Sequence, residues 1–144
     1  QYFTPDILIK DGDTLSLGNT EIRFIETPGH TRGTVSLFFD TEDNGIKYRV
    51  GMFGGAGANT LVPGKYDYDG CREDYYASIS RLRKETVEVF IGNHVWNNDT
   101  DVKGEHLLKT GENLFIDSEL WGKFLDHCEN RLSAIIAEEK AKAK

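Results

Sequence analysis

The sequence predicts an α+β fold in a single domain, with one mixed or antiparallel β-sheet and flanking helices. Three observations carry that expectation. Segments that alternate apolar and polar residues crowd the stretch before Met52. An Asn44-Gly45 dipeptide, the pair that best accepts positive φ at both central positions, separates two of them as a hairpin tip. The last third carries Trp121, Phe124, Leu125, Cys128, Leu132, Ile135 and Ile136 at helical spacing. A chain of 144 residues suffices for one domain with one core.

The elements follow in order. Asp6–Lys10 (DILIK) reads as a short strand, ended by the turn signal Asp11-Gly12-Asp13. Thr14–Gly18 and Thr20–Glu26 alternate, the second with Ile22 and Phe24 on one face. Thr34–Asp40 places Val35, Leu37 and Phe39 on one face, and Ile46–Met52 places Ile46, Tyr48 and Val50 on one. Residues 53–70 are rich in glycine and tyrosine and read as a long loop, a length that is usually functional or disordered. A helix is expected over Arg72–Lys84, a strand over Val87–Gly92, a polar loop over Asn93–Thr100 and a short helix near Val102–Lys109. The long helix spans Ser118–Lys140, with Asp117 or Ser118 as its N-cap.

Composition narrows the function. A formal charge of −7 repels a polyphosphate partner, which argues against nucleic acid. No apolar run approaches the length of a membrane span, and no signal peptide is visible, though Gln1 is not a natural start. Two cysteines, Cys71 and Cys128, make no disulfide framework; they fit a reducing compartment, which leans the expectation toward the cytoplasm, or simply buried thiols.

The chemistry-bearing candidates are few. His30 sits in "TPGHTRG" (Thr27–Gly33), after a strand and between glycines; it reads as a metal ligand, a general base or a turn residue. His94 follows a strand and opens a loop with Asn93, Asn97, Asn98 and Asp99, which could orient a ligand or merely cap the next helix. His106 and His127 fall in helices and read as exposed or half-buried. Neighbours on a helix do not face one another, so His127 and Cys128 make no dyad. Asp67 and Asp69 flank Tyr68 in the long loop, as a substrate or ion contact or as solvated loop carboxylates. The glycine loop Gly51–Thr60 fails the nucleotide patterns: the Gly64-Lys65 that comes after it is followed by Tyr66, not Ser or Thr, and Thr60 stands where a G-x-G-x-x-G begun at Gly55 needs glycine. No Ser-His-Asp arrangement stands out, and no residue is assigned a catalytic role.

"TPGHTRGTVSL" after a strand, "VFIGNHVWNND" and the closing "GENLFIDSELWGKFLDHCENRL" together resemble the metallo-β-lactamase superfamily, its third subclass and the glyoxalase II-like hydrolases. The resemblance covers nearly the whole of residues 1–144, and only the C-terminal half of the family's αββα sandwich. It implies that His30 is a ligand of the first zinc and His94 a ligand of the second. It implies two zinc ions in an intact parent and hydrolysis of a β-lactam, thioester or lactone by metal-bound hydroxide. The loop Phe53–Gly70, with Gly55, Asn59 and Tyr66, would shape the small-molecule substrate's entrance.

Two departures qualify it. The H-x-H-x-D-H signature is absent, and no acidic residue lies between Gly51 and Gly64 where most members carry a bridging aspartate. The third subclass lacks that aspartate as well. One imidazole per metal holds zinc weakly, since catalytic sites use three protein ligands. The sequence thus reads as the C-terminal part of a hydrolase domain, inactive and zinc-poor alone. Its missing N-terminal half is the expected partner, and its unpartnered sheet face is expected to associate into a homo-oligomer. The rival readings are a noncatalytic homodimeric scaffold or binding domain that lacks the metal motif, and a small-molecule-binding α/β domain built on the glycine loop.

Overall fold

A computed structural model describes residues 4–143; residues 1–3 and 144 lie outside them. Its elements are β1 (Thr14–Leu17), β2 (Thr20–Glu26), β3 (Val35–Asp43), β4 (Ile46–Met52), α1 (Cys71–Leu82), β5 (Val89–Phe90), α2 (Thr100–Thr110) and α3 (Leu120–Lys142). The sheet is mixed, in the order β1-β2-β3-β4-β5. The first four strands form an antiparallel meander, and β5 returns parallel to β4 after the long loop and α1. The hairpin tip behaves as its sequence requires: Asn44 and Gly45 take φ of 50° and 79°.

Register sorts the side chains into two unequal faces. Ile25 pairs with Ser36, and Phe38 with Gly51, on the face that the helices cover. Ile25, Ser36 and Phe38 are at most 1% exposed. Ile25 and Phe38 join Tyr75, Ile79 and Leu82 of α1 and Trp121, Phe124, Leu125 and Leu132 of α3 in one core. Trp121 binds the layers: its ring meets Phe38 edge-on at 6.0 Å, and its indole N–H donates to the Leu82 carbonyl at 3.1 Å. On the opposite face Leu15, Ile22, Phe24, Val35, Leu37, Phe39, Tyr48 and Met52 are all only half-buried. An apolar sheet face of that extent is the kind of surface that associates.

Three expectations are corrected. Asp6–Lys10 forms no strand; Ile7 and Leu8 are exposed, and the segment ends in a turn rather than a ladder. There the Lys10 N–H donates to Asp13 Oδ2 at 2.7 Å, and the Asp13 N–H to the Lys10 carbonyl at 3.0 Å. The strand expected over Val87–Gly92 shrinks to Val89–Phe90, and past its end Asn93 donates to the Gly54 carbonyl at 2.7 Å. The long helix starts at Leu120, while Asp117 Oδ1 accepts the Glu119 N–H at 2.9 Å just ahead of it. The loop of residues 53–70 is irregular as expected, yet it is anchored by buried Phe53, Ala58 and Leu61.

Both cysteines are free and buried. Burial pushes both thiols up, Cys128 from 9.0 to about 11 despite an opposing contact with the Tyr75 hydroxyl. A raised folded pKa means that the fold favours the protonated thiol. The Cys128 contribution is therefore complete below pH 9.0 and is lost as the pH rises through about 11. Ellman's reagent at pH 8 should label neither thiol in the native protein and both in urea, and unfolding midpoints should fall between those two pH values. Rapid native labelling would contradict the burial.

Candidate metal centre

The candidate site rests on three loops at one end of the sheet: residues 27–34 after β2, residues 53–60 after β4, and residues 92–98 after β5. The first is tied down at several points. The Thr27 N–H donates to the Thr34 carbonyl at 2.9 Å, and the buried Thr27 and Ser36 hydroxyls meet at 2.8 Å. The Ser78 hydroxyl of α1 donates to the Pro28 carbonyl at 2.8 Å, and the Arg32 N–H donates to Asp67 Oδ2 at 2.8 Å. Asp67, which the sequence left between an ion contact and a solvated carboxylate, therefore fastens one loop to the next.

Those ties hold the His30 ring in a defined tautomer. Its Nδ1 lies 2.7 Å from the Gly57 carbonyl oxygen, which can only accept, so Nδ1 carries the hydrogen and donates it. The Thr60 hydroxyl donates to the His30 carbonyl at 2.7 Å and turns its lone pairs toward Nδ1 at 3.1 Å. In the neutral ring Nε2 is then the bare nitrogen. A ring with one nitrogen fixed on a backbone carbonyl and the other free is the usual preparation of a metal-ligating histidine. Neither Gly57 nor Thr60 carries a sequence signal that pairs it with His30, since they lie 27 and 30 residues away.

His94 is exposed at the start of the third loop and stacks on Trp96, with ring centroids 4.4 Å apart and planes 8° from parallel. The asparagines around it serve the loop. Asn97 donates to Asn93 Oδ1 at 2.6 Å. The buried Asn98 donates to the Phe90 carbonyl at 2.8 Å and accepts from the Thr100 hydroxyl at 2.6 Å. Gly92 is required there: a Cβ would fall 2.6 Å from the His94 carbonyl oxygen.

The long-loop candidates separate. Gly55 is buried under the first loop, where a Cβ would stand 2.9 Å from His30 Cβ and 2.5 Å from Thr34 Cγ2. Asn59 is exposed and lines a cleft that His94 also lines. Tyr66 faces outward, with the Arg72 guanidinium 5.2 Å from its ring centre. His127 is exposed on α3 and lines that same cleft with Lys123 and Arg131, a role read from no single residue. The signal was present as a basic stripe at i, i+4 and i+8 (Lys123, His127, Arg131) beside the apolar one. His106 sits apart, 2.7 Å from Glu112.

Among the described residues no three His, Cys, Asp or Glu side chains stand together to hold a metal ion. His30 suits one ligand position; the described residues do not make a complete site. No described helix is long and apolar enough to cross a membrane.

No family model matches the chain. Among curated proteins it is similar to a hydroxyacylglutathione hydrolase of Methylococcus capsulatus (strain ATCC 33009 / NCIMB 11132 / Bath), 31% identical over 83 residues, 58% of this chain and 29% of that protein. A second hydroxyacylglutathione hydrolase, from Chelativorans sp. (strain BNC1), is 47% identical over 34 residues, 24% of this chain and 13% of that protein. Among solved structures, a subclass B3 metallo-β-lactamase of Bradyrhizobium japonicum superposes with a TM-score of 0.88 at 23% identity, over 100% of this chain and 55% of that one. A mutant of the metallo-β-lactamase from Legionella gormanii gives 0.87 at 28% identity, over 97% and 54%. The chain thus spans about half the length of the solved structures it matches. In fold and in sequence it resembles the C-terminal half of the metallo-β-lactamase superfamily, close to both subclass B3 lactamases and hydroxyacylglutathione hydrolases.

Proposed function

We propose that this chain supplies one half of a zinc-dependent hydrolase site, with His30 as a ligand of one zinc and His94 as a ligand of a second, and that it is inactive alone. The observation that carries the reading is the His30 ring, its Nδ1 engaged by the Gly57 carbonyl and its Nε2 left bare. The remaining ligands would come from a segment bearing H-x-H-x-D-H, folded as a second sheet against the half-buried face of Phe24, Leu37 and Phe39. When bound, zinc polarises a carbonyl and lowers the pKa of a water molecule. The chain's own part is to hold and orient. Gly57 and Thr60 fix the His30 ring, Gly55 lets the second loop pass beneath it, and Asn59 borders the way in.

The substrate class is a strained or activated acyl compound: a β-lactam, a thioester or a lactone. The names of the relatives, a β-lactamase on one side and a hydroxyacylglutathione hydrolase on the other, support the first two of these. The test is metal analysis of two preparations. Coexpressed with a segment carrying the missing motif, the chain should purify with two zinc ions and hydrolyse a member of that class. The 144-residue chain alone should hold less than one zinc and associate through its open sheet face. Stoichiometric, chelator-resistant zinc in the chain alone would refute the shared site, and a monomer by light scattering with native-like exchange protection would refute the association.

A further inference from the structure

The molecule is acidic, with 24 carboxylate and 17 basic side chains, yet one cleft runs against that balance. It has a volume of about 840 Å3 and lies between α3 and the loops of residues 56–59 and 94–97. That volume is within the range of small-molecule sites. Lys123 and Arg131 line it two helical turns apart, with His127 between them, and no Asp or Glu is among the described residues lining it. Glu138 and Glu139 line a separate depression that shares Arg131 with this one. Lys123 is paired with Glu119 at 2.6 Å, a fully solvated bond of little strength, and Arg131 makes no salt bridge among the described residues. Apolar side chains line it as well: Phe124 on α3 itself and Trp96, 71% exposed, on the loop of residues 94–97. An exposed tryptophan sharing a cleft with an unpaired guanidinium is an arrangement that suits a ligand charged at one end and apolar at the other.

We infer that this cleft binds a small organic carboxylate, its anion on Lys123, His127 and Arg131 and its apolar body against Trp96 and Phe124. The cleft borders the zinc site of the proposed function, since His94 and Asn59 line it as well; the anion is assigned to α3, which supplies none of the proposed ligands, so the two readings can fail separately. α3 packs on the sheet face opposite the one proposed for the second sheet.

The test uses the intact protein in the presence of a chelator, so that no metal can hold the carboxylate. The probes are 1-naphthoate and its neutral isostere 1-naphthamide, and the readout is the NMR signal of the Trp96 indole N–H, with that of buried Trp121 as internal control. Naphthoate should move the Trp96 signal and bind about fivefold or more tighter than the amide. The double change Lys123→Gln and Arg131→Gln, both at exposed positions, should weaken naphthoate about tenfold and leave the amide unchanged. Equal binding of acid and amide, indifference to the double change, or shifts confined to Leu37 and Phe39 of the open sheet face would overturn the inference. His30→Ala should leave naphthoate binding intact, so failure of the zinc site and failure of this cleft are separate results.

Discussion

Replacing His30 by alanine in the zinc-loaded, motif-complemented protein should remove one zinc and lower hydrolysis of an acyl substrate by at least about a hundredfold. The estimate is a floor. Loss of an outer hydrogen-bond partner of a metal ligand already costs about ten- to a hundredfold, and here the ligand itself goes. The fold should survive, because the ring is only half-buried and its Nδ1 bond is to a loop carbonyl, so the unfolding free energy should change by about 1 kcal/mol or less. Thr60→Val gives the graded companion: it keeps the ligand and removes the hydroxyl that braces it, and should reduce metal affinity about tenfold. Metal analysis, steady-state hydrolysis and urea unfolding on the same preparations separate these effects. Unchanged zinc content with unchanged turnover in His30→Ala would sink the ligand assignment.

Gly29→Ala should be the more damaging of the two possible glycine-to-alanine changes in the loop of residues 27–34, costing about 3 kcal/mol or more of stability. Gly29 has φ of 141°, where side chains are strained, and its Cβ would lie 2.6 Å from Cα and Cβ of Tyr75 and 2.9 Å from Tyr75 N. Those atoms cannot retreat. Tyr75 is 0% exposed, its ring packs on Phe53 at 5.7 Å, and its hydroxyl donates to the Ala56 carbonyl at 2.6 Å. The same helix holds Pro28 through Ser78. A methyl at residue 29 would therefore push α1 away from both loops that frame His30. Gly33→Ala is the control, since nothing lies within 4 Å of its Cβ position; it should be neutral within about 0.5 kcal/mol. Chemical denaturation of the pair decides the matter, and a Gly29→Ala protein as stable as Gly33→Ala would show the close approach to be wrong.

The comparison of those two glycines marks the boundary of what could be read in the chain. In "TPGHTRG" both look like turn glycines, and only packing reveals that one is wedged against a helix and the other is free. The strands of the meander, the Asn44-Gly45 tip and the apolar stripe of α3 were legible because alternation, turn chemistry and helical period are properties of near neighbours. Their ends were less so: β5 covers only Val89–Phe90, and the chain just past it is held by Asn93 donating to Gly54, a partner 39 residues away. Asp6–Lys10 had the composition of a strand and lacked a neighbour to pair with.

The site divides the same way. His30 and His94 stood out by type, setting and resemblance. Gly57 and Thr60, which set the tautomer of His30, did not, because a backbone carbonyl has no sequence identity and a threonine acquires a partner only when two loops meet. Lys123, His127 and Arg131 were visible as residues and as a spacing, but their meaning came from Trp96 on another loop. Near-neighbour interactions, acting over one or two turns of chain, specified most of the elements and the candidate ligand types. Tertiary structure alone decided which nitrogen of His30 is bare, which glycine is indispensable and where the cationic wall faces, because each depends on atoms brought together only when the loops and helices close on the core.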